Sequence, residues 1–160
     1  MQPFQDQISN NSCFGCGPGN AQGLRIKSQW ENNDPTATRS LCEFQPEAHH
    51  NAGTPKFLNG GIIATVIDCH CVCTAIVDGY RRAGRAVGEG DLIWYATGSL
   101  QVSYHKPVPI DRLLLFYAVI EQVSDRKTKL SAGIKLDDVD LVTAEVLAVQ
   151  VPAEWLASAE

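Results

Sequence analysis

The hydrophobic and polar positions of the chain change period three times. From Gly23 to Trp30 they alternate, with Leu24, Ile26 and Trp30 on one side and Arg25, Lys27 and Gln29 on the other, which predicts a strand with one wet face. Thr36 to Phe44 predicts a second, weaker strand, and the Glu-Asn-Asn-Asp-Pro run before it supplies a turn. Gln45 to Leu58 carries two prolines and one glycine and is expected to be a long loop. Phe57 to Tyr80 then reads as a helix that is apolar on nearly every face, ending where Gly79 can turn left-handed. A basic, glycine-containing loop (81–90) follows, and the rest predicts strands. These are Leu92 to His105, Arg112 to Val123, Thr128 to Leu136 and Leu141 to Val151, with short turns at 124–127 and 137–140. In the last strand Val142, Ala144, Val146 and Ala148 alternate with Thr143, Glu145 and Leu147.

The order is two strands, one long helix, then four strands. Short turns between consecutive strands imply antiparallel pairing. A helix that is apolar all round must be enclosed, and one helix cannot cover both faces of a sheet. The expected fold is therefore α+β, a curved antiparallel sheet wrapped around one central helix. The sheet's outer face and edges then call for a partner, so at least a dimer is expected.

Composition narrows this. A chain of 160 residues suits one domain, here 1–160, with 1–22 as an N-terminal loop segment. The net charge of −5 disfavours a general nucleic-acid binder. No run of 18 or more uncharged apolar residues is present, and the polar opening lacks the pattern of a signal peptide. A cytoplasmic protein without a membrane span is expected. Its six cysteines are then free thiols, with Cys69, Cys71 and Cys73 buried in the helix as small hydrophobes.

Two features of the helix bear on chemistry. Its first four amides have no intrahelical acceptor and carry the positive end of the macrodipole. Gly60 and Gly61 at that end let a ligand carbonyl come close to the backbone. The plain alternative is that Asn59 caps the helix and the glycines are ordinary loop-to-helix residues. Asp68 is the second feature, since a carboxylate on an apolar helix is costly unless partnered or used. Thr65 is its one obvious local partner. Gly61 and Asp68 lie on about the same face but ~10 Å apart along the axis, too far for one substrate carbon to touch both. Two such helices antiparallel across a two-fold axis would bring Asp68 of one copy to the glycines of the other.

The stretch Leu58-Asn-Gly-Gly-Ile-Ile-Ala-Thr-Val-Ile-Asp68-Cys-His-Cys71 resembles the helix signature of hotdog-fold thioesterases, in the PaaI-like group related to 4-hydroxybenzoyl-CoA thioesterases. The opening Cys13-Phe-Gly-Cys-Gly-Pro-Gly-Asn-Ala-Gln-Gly-Leu-Arg-Ile26 and the aromatic-to-proline step from Tyr104 to Pro107 are similar to that group too, so the resemblance covers most of Cys13 to Val151. It implies the wrapped-helix fold and an acyl-CoA or acyl-carrier-protein thioesterase, a homodimer or homotetramer without cofactor. Gly60 and Gly61 would polarise the thioester carbonyl, with Asn59 beside them and Asp68 as nucleophile or general base. Asn59 stands where the group usually has histidine, and Gly53 stands where some members hold a water with a polar side chain; His49, His50 or Asn51 are the nearest replacements. A non-catalytic acyl-CoA or acyl-carrier-protein binder, and a hydratase or dehydratase, remain open alternatives.

The remaining candidates are weaker. Arg81 and Arg82, with Arg85 and Lys106, form a basic set suited either to CoA phosphates or to plain solvation. His49 and His50 are expected to be solvated, or to line the mouth of a site. His70 is two residues from Asp68, about 200° round the helix, and reads as a satisfied core residue. Cys13 and Cys16 make one C-x-x-C without a second, so no metal is expected.

Overall fold

The computed structural model describes residues 2–157. Its main elements are β1 (Lys27–Trp30), β2 (Arg39–Phe44), α1 (Gly60–Arg82), β3 (Trp94–Tyr104), β4 (Leu114–Ser124), β5 (Lys127–Leu136), β6 (Val139–Val151) and α2 (Ala153–Ala157). The strands form one antiparallel sheet in the order β1-β2-β4-β5-β6-β3, and α1 packs on its inner face. This is the wrapped-helix hotdog architecture. Within the segment 1–22, Phe4–Gln7 forms a short 3-10 turn whose Phe4 ring packs edge-on against Trp30.

The inner face is built from alternate residues. Leu114, Phe116 and Ala118 of β4, Leu130, Ala132 and Ile134 of β5, and Val142, Ala144 and Val146 of β6 are all buried. Ala118 pairs with Ala132 and Ala132 with Ala144, so a row of small side chains crosses the centre of the sheet and leaves room for the helix. α1 answers with Ile63, Val66, Ile67, Cys71 and Ile76. By length and hydropathy alone α1 would suit a membrane span, but 61% of that apolar window is buried inside the fold. Its apolar circumference is that of an enclosed core helix.

Several boundaries differ from those the pattern predicts. β1 begins at Lys27 because Arg25 has a positive φ of 49° and the amides of Leu24 and Ile26 bond Phe14 and Gly15 of the N-terminal loop. β6 begins at Val139, since Asp137 and Asp138 alone make the turn, both with positive φ. Gly79 does not end α1; Gly84, with φ of 67°, follows its last turn. The role of Gly79 is packing: a Cβ there would meet Ile93 Cγ2 at 2.8 Å.

The helix runs past Gly79 because its last turn is tied to Asp78. That side chain is 2% exposed and pairs with both Arg81 and Arg82. Arg81 also donates to Pro35 O at 2.7 Å and Ala37 O at 2.8 Å, and its guanidinium lies 4.4 Å from the Trp30 ring centre. Arg82 donates to Tyr95 Oη at 3.0 Å. Asp78→Ala is expected to strand two cations. Because both are about one-third exposed, the cost should fall near 2 kcal/mol rather than the larger loss of a fully buried pair. A lower urea midpoint with an unchanged slope would register it; an unchanged midpoint would refute it.

Candidate active site

The loop before α1 is held so as to aim the helix start. Asn59 N donates to His50 O and Leu58 N to Val108 O, both at 2.9 Å. Asn59 then caps the helix, its Oδ1 accepting from Gly61 N at 2.7 Å and from Ile62 N at 3.4 Å. Ile63 N bonds Asn59 O. Of the first-turn amides this leaves the Gly60 N–H without an acceptor among the described residues. The Gly60 carbonyl is fixed in turn by the Tyr104 hydroxyl at 2.7 Å. A cavity of about 380 Å³ lies against this turn, lined by Gly60, Ile63, Tyr104, Lys106 and Val108 among others.

Asp68 lies eight residues further on, ~12 Å along the axis. It is half-buried, and the hydroxyl of Thr97 on β3, rather than that of Thr65, donates to its Oδ1. Thr65 instead bonds the Gly61 carbonyl one turn back, at 2.9 Å. Burial raises the Asp68 pKa above the usual carboxylate value, and the Thr97 bond opposes the rise. Thr97 sits at a bulge: it pairs with Ala148 while Ser99 pairs with Leu147, so Gly98 has no partner. A Cβ at Gly98 would meet Val149 Cγ2 at 2.7 Å. The carboxylate opens on a second cavity of about 280 Å³, lined by Asp68, Thr97, Trp94, Val72 and the sulfurs of Cys13, Cys16, Cys69 and Cys73 among others.

The other expected residues divide by position. Lys106 borders the Gly60 cavity. Arg81 and Arg82 stand more than 20 residues from Gly60 at the far end of α1, engaged with Asp78. His49 is exposed and near Glu47 at 3.5 Å. His50 is buried rather than solvated: its ring stacks on Phe44, and Nδ1 accepts from Glu47 N at 3.0 Å. Burial holds its pKa below the usual histidine value. Gly53 has a positive φ of 84°, and its amide is bonded to Asn51 Oδ1 at 3.0 Å.

His70 is a satisfied core residue. Nδ1 is 2.8 Å from Ser28 Oγ and Nε2 is 3.3 Å from Ser40 O, while burial lowers its pKa to about 4.

Thr97 is the site residue that strand patterning does not mark, since it is simply an exposed position on β3. The glycine after it is the one local signal of the bulge that turns it toward Asp68. The meeting of the Cys13-Cys16 pair with Cys69 and Cys73 is the other feature that the sequence pattern does not mark. All six cysteines are free. The thiols of Cys13, Cys69 and Cys73 point at Cys16 and draw its pKa below the ordinary thiol value, while those of Cys69 and Cys73 rise.

No family model matches the chain. It is 29% identical over 111 residues to acyl-coenzyme A thioesterase THEM4 of Xenopus laevis, covering 69% of this chain and 44% of that one. Against THEM4 of Rattus norvegicus it is 31% identical over 101 residues, covering 62% and 37%. Against THEM5 of Homo sapiens it is 27% identical over 97 residues, covering 61% and 34%. The chain thus spans less than half the length of these relatives. Among solved structures it is similar to a thioesterase superfamily protein from Shewanella loihica PV-4, with TM-score 0.62 and 25% identity, covering 79% of this chain and 91% of that one. A phenylacetic acid degradation-related protein from Ralstonia eutropha JMP134 shares the fold with TM-score 0.63 and 16% identity, covering 84% and 90%.

Proposed function

We propose, from the premise that this chain has the hotdog fold of the thioesterase superfamily, that it hydrolyses an acyl-CoA thioester at a site shared between two copies. The observation that carries the proposal is the separation of the two reactive groups. The unpaired Gly60 amide and the Asp68 carboxylate face different cavities ~12 Å apart on one helix, so each needs its complement from elsewhere. The fold offers a route. β3 is an 11-residue strand at the edge of the sheet, with β6 on one side only and half-buried Leu100 and Val102 along it. Antiparallel pairing of β3 with the β3 of a second copy would cover that edge. The two α1 helices would then run antiparallel, with the Asp68 of each copy near the Gly60 of the other.

The chemistry follows from those positions. The thioester oxygen accepts from Gly60 N–H at the positive end of α1, which stabilises the charge formed when the carbonyl is attacked. Asp68 either attacks the carbonyl carbon, giving an acyl-enzyme anhydride that water cleaves, or takes the proton from an attacking water. Both routes consume one thioester and one water and yield a carboxylic acid and CoA thiol. Thiolate leaves without a strong acid. Asn59 fixes the helix start through neutral hydrogen bonds, in place of a titrating histidine. Lys106, at the Gly60 cavity, is placed for CoA phosphates, whereas Arg81 and Arg82 serve the last turn of the helix.

The test is a panel of acyl-CoA and acyl-carrier-protein thioesters with a thiol-reactive dye, at protein concentrations far below substrate. Catalytic release of thiol from at least one acyl-CoA is expected. Saturable binding without release would replace this reading with that of a carrier, and loss of enoyl-CoA absorbance without thiol would replace it with a hydratase.

A further inference from the structure

We propose that Cys13, Cys16, Cys69 and Cys73 form a tetrathiolate site for one zinc ion, fastening the N-terminal loop to α1 beside Asp68. The site does not depend on the thioesterase reading. It joins two segments more than fifty residues apart, a C-x-x-C turn and a C-x-x-x-C pair on a helix. Residues four apart on a helix share a face, the spacing by which helical side chains ligate one metal together.

The sulfur geometry suits one tetrahedral ion. Cys13 Sγ is 3.7 Å from Cys69 Sγ, and Cys16 Sγ is 3.8 Å from Cys73 Sγ. Four thiolates at about 2.3 Å from zinc define a tetrahedron with edges of about 3.8 Å. The ligand atoms of Cys13, Cys16 and Cys69 all lie within 4.8 Å of one another. Cys73 Sγ touches Cys16 Sγ but stands outside that trio, so closing the fourth corner takes a small inward shift of its side chain. Three soft sulfurs this close, with a fourth beside them, favour a thiophilic tetrahedral metal over calcium or magnesium, which take oxygen.

The surroundings are built for the cluster. Gly17 N closes the turn on Cys13 O at 2.8 Å, and Cys13 N is held by Asn11 Oδ1 at 3.0 Å. The Asn11 amide also donates to Cys16 Sγ at 3.5 Å, the outer-sphere bond that orients a ligating sulfur. Gly15 stands between the cysteines of the turn, where a Cβ would lie 2.3 Å from Cys69 Sγ. Only a bare backbone lets the helix thiol reach the loop. Cys16, Cys69 and Cys73 are buried, and Cys13 at the rim is exposed, giving an ion a path in. Cys42 and Cys71 take no part in the cluster and serve as internal controls. Binding replaces four S–H bonds by four Zn–S bonds and releases up to four protons, with no change of oxidation state.

The reduced full-length chain, freed of metal by chelation, is titrated with cobalt(II) and separately analysed for zinc by mass spectrometry after dialysis. One equivalent of either metal per chain is expected, with the thiolate-to-cobalt charge-transfer and ligand-field bands of a tetrahedral sulfur site. Cys16→Ser and Cys69→Ser should each lower uptake at least tenfold, while Cys42→Ser and Cys71→Ser keep it. The wild-type titration needs no variant to fold. Absence of the charge-transfer band in the reduced wild type overturns the proposal. So does uptake that survives Cys16→Ser and Cys69→Ser, or isolation of the chain with Cys13–Cys69 and Cys16–Cys73 disulfides in place of metal.

Discussion

Asp68→Asn is expected to lower the kcat for acyl-CoA hydrolysis by roughly 10²–10⁴-fold, the range for removing a positioned base or nucleophile. The amide is isosteric and its oxygen still accepts from the Thr97 hydroxyl, so the bulge of β3 and the packing of α1 are preserved. It cannot attack a carbonyl or take a proton from water. KM should change little, because the proposed role of Asp68 is in the chemical step rather than in binding. The unfolding midpoint should stay level or rise, because a half-buried carboxylate is replaced by a neutral group. A variant retaining more than a tenth of wild-type kcat would remove Asp68 from the reaction and leave its burial as a structural matter.

The second large effect concerns whose Asp68 works with whose Gly60. Gly60→Val places a Cβ at van der Waals distance from the Tyr104 ring, 3.4 Å, and sets methyl groups over the amide that receives the carbonyl. Alone, this variant should be as inactive as Asp68→Asn. Mixed in equal amounts, dissociated and re-associated, the two should recover about a quarter of wild-type activity. Half of the dimers are then mixed, and each mixed dimer has one site with both groups intact and one with neither. A site made within one chain would recover nothing. Native mass spectrometry of the mixture, which resolves the mixed dimer by its mass, confirms that exchange took place, so recovery at background in re-associated dimers would refute the shared site.

How much of this was legible in the sequence depends on the range over which each signal acts. The α1 apolar circumference pointed to an enclosed helix because burial on every face has one economical solution, and the antiparallel pairing of β4, β5 and β6 followed from the short turns between them. That β2 lies beside β4 and β3 beside β6 was not legible, since those pairs are joined through long connections. Asn59 could be read as a cap from its type, and Asp68 as unusual from its surroundings. The end of α1 was misplaced, since Gly79 looks like a terminator until Ile93 and Tyr95 are seen pressed against it. Arg81 and Arg82 read as a free basic run because Asp78, three and four residues earlier, seemed part of an ending helix; the helical spacing that pairs them was present all along. Thr97 was marked only by the glycine after it, since a bulge depends on the partner strand. The thiol cluster was half visible. Cys13 and Cys16 were recognised as a C-x-x-C, and Cys69 and Cys73 as helix cysteines, but nothing local to either segment says that the fold brings the two together.

The close fit at Gly79 has a consequence for how this chain tolerates change. α1 is a rod of 23 residues, ~34 Å long, with Gly60 and Asp68 in its first half and Gly79 seated against Ile93 and Tyr95 near the other end. A methyl added there must be absorbed by Ile93 and Tyr95 or by the rod, and any tilt of the rod moves Gly60, ~28 Å away, by more than it moves position 79. Gly79→Ala should accordingly be felt at two cavities that residue 79 does not line.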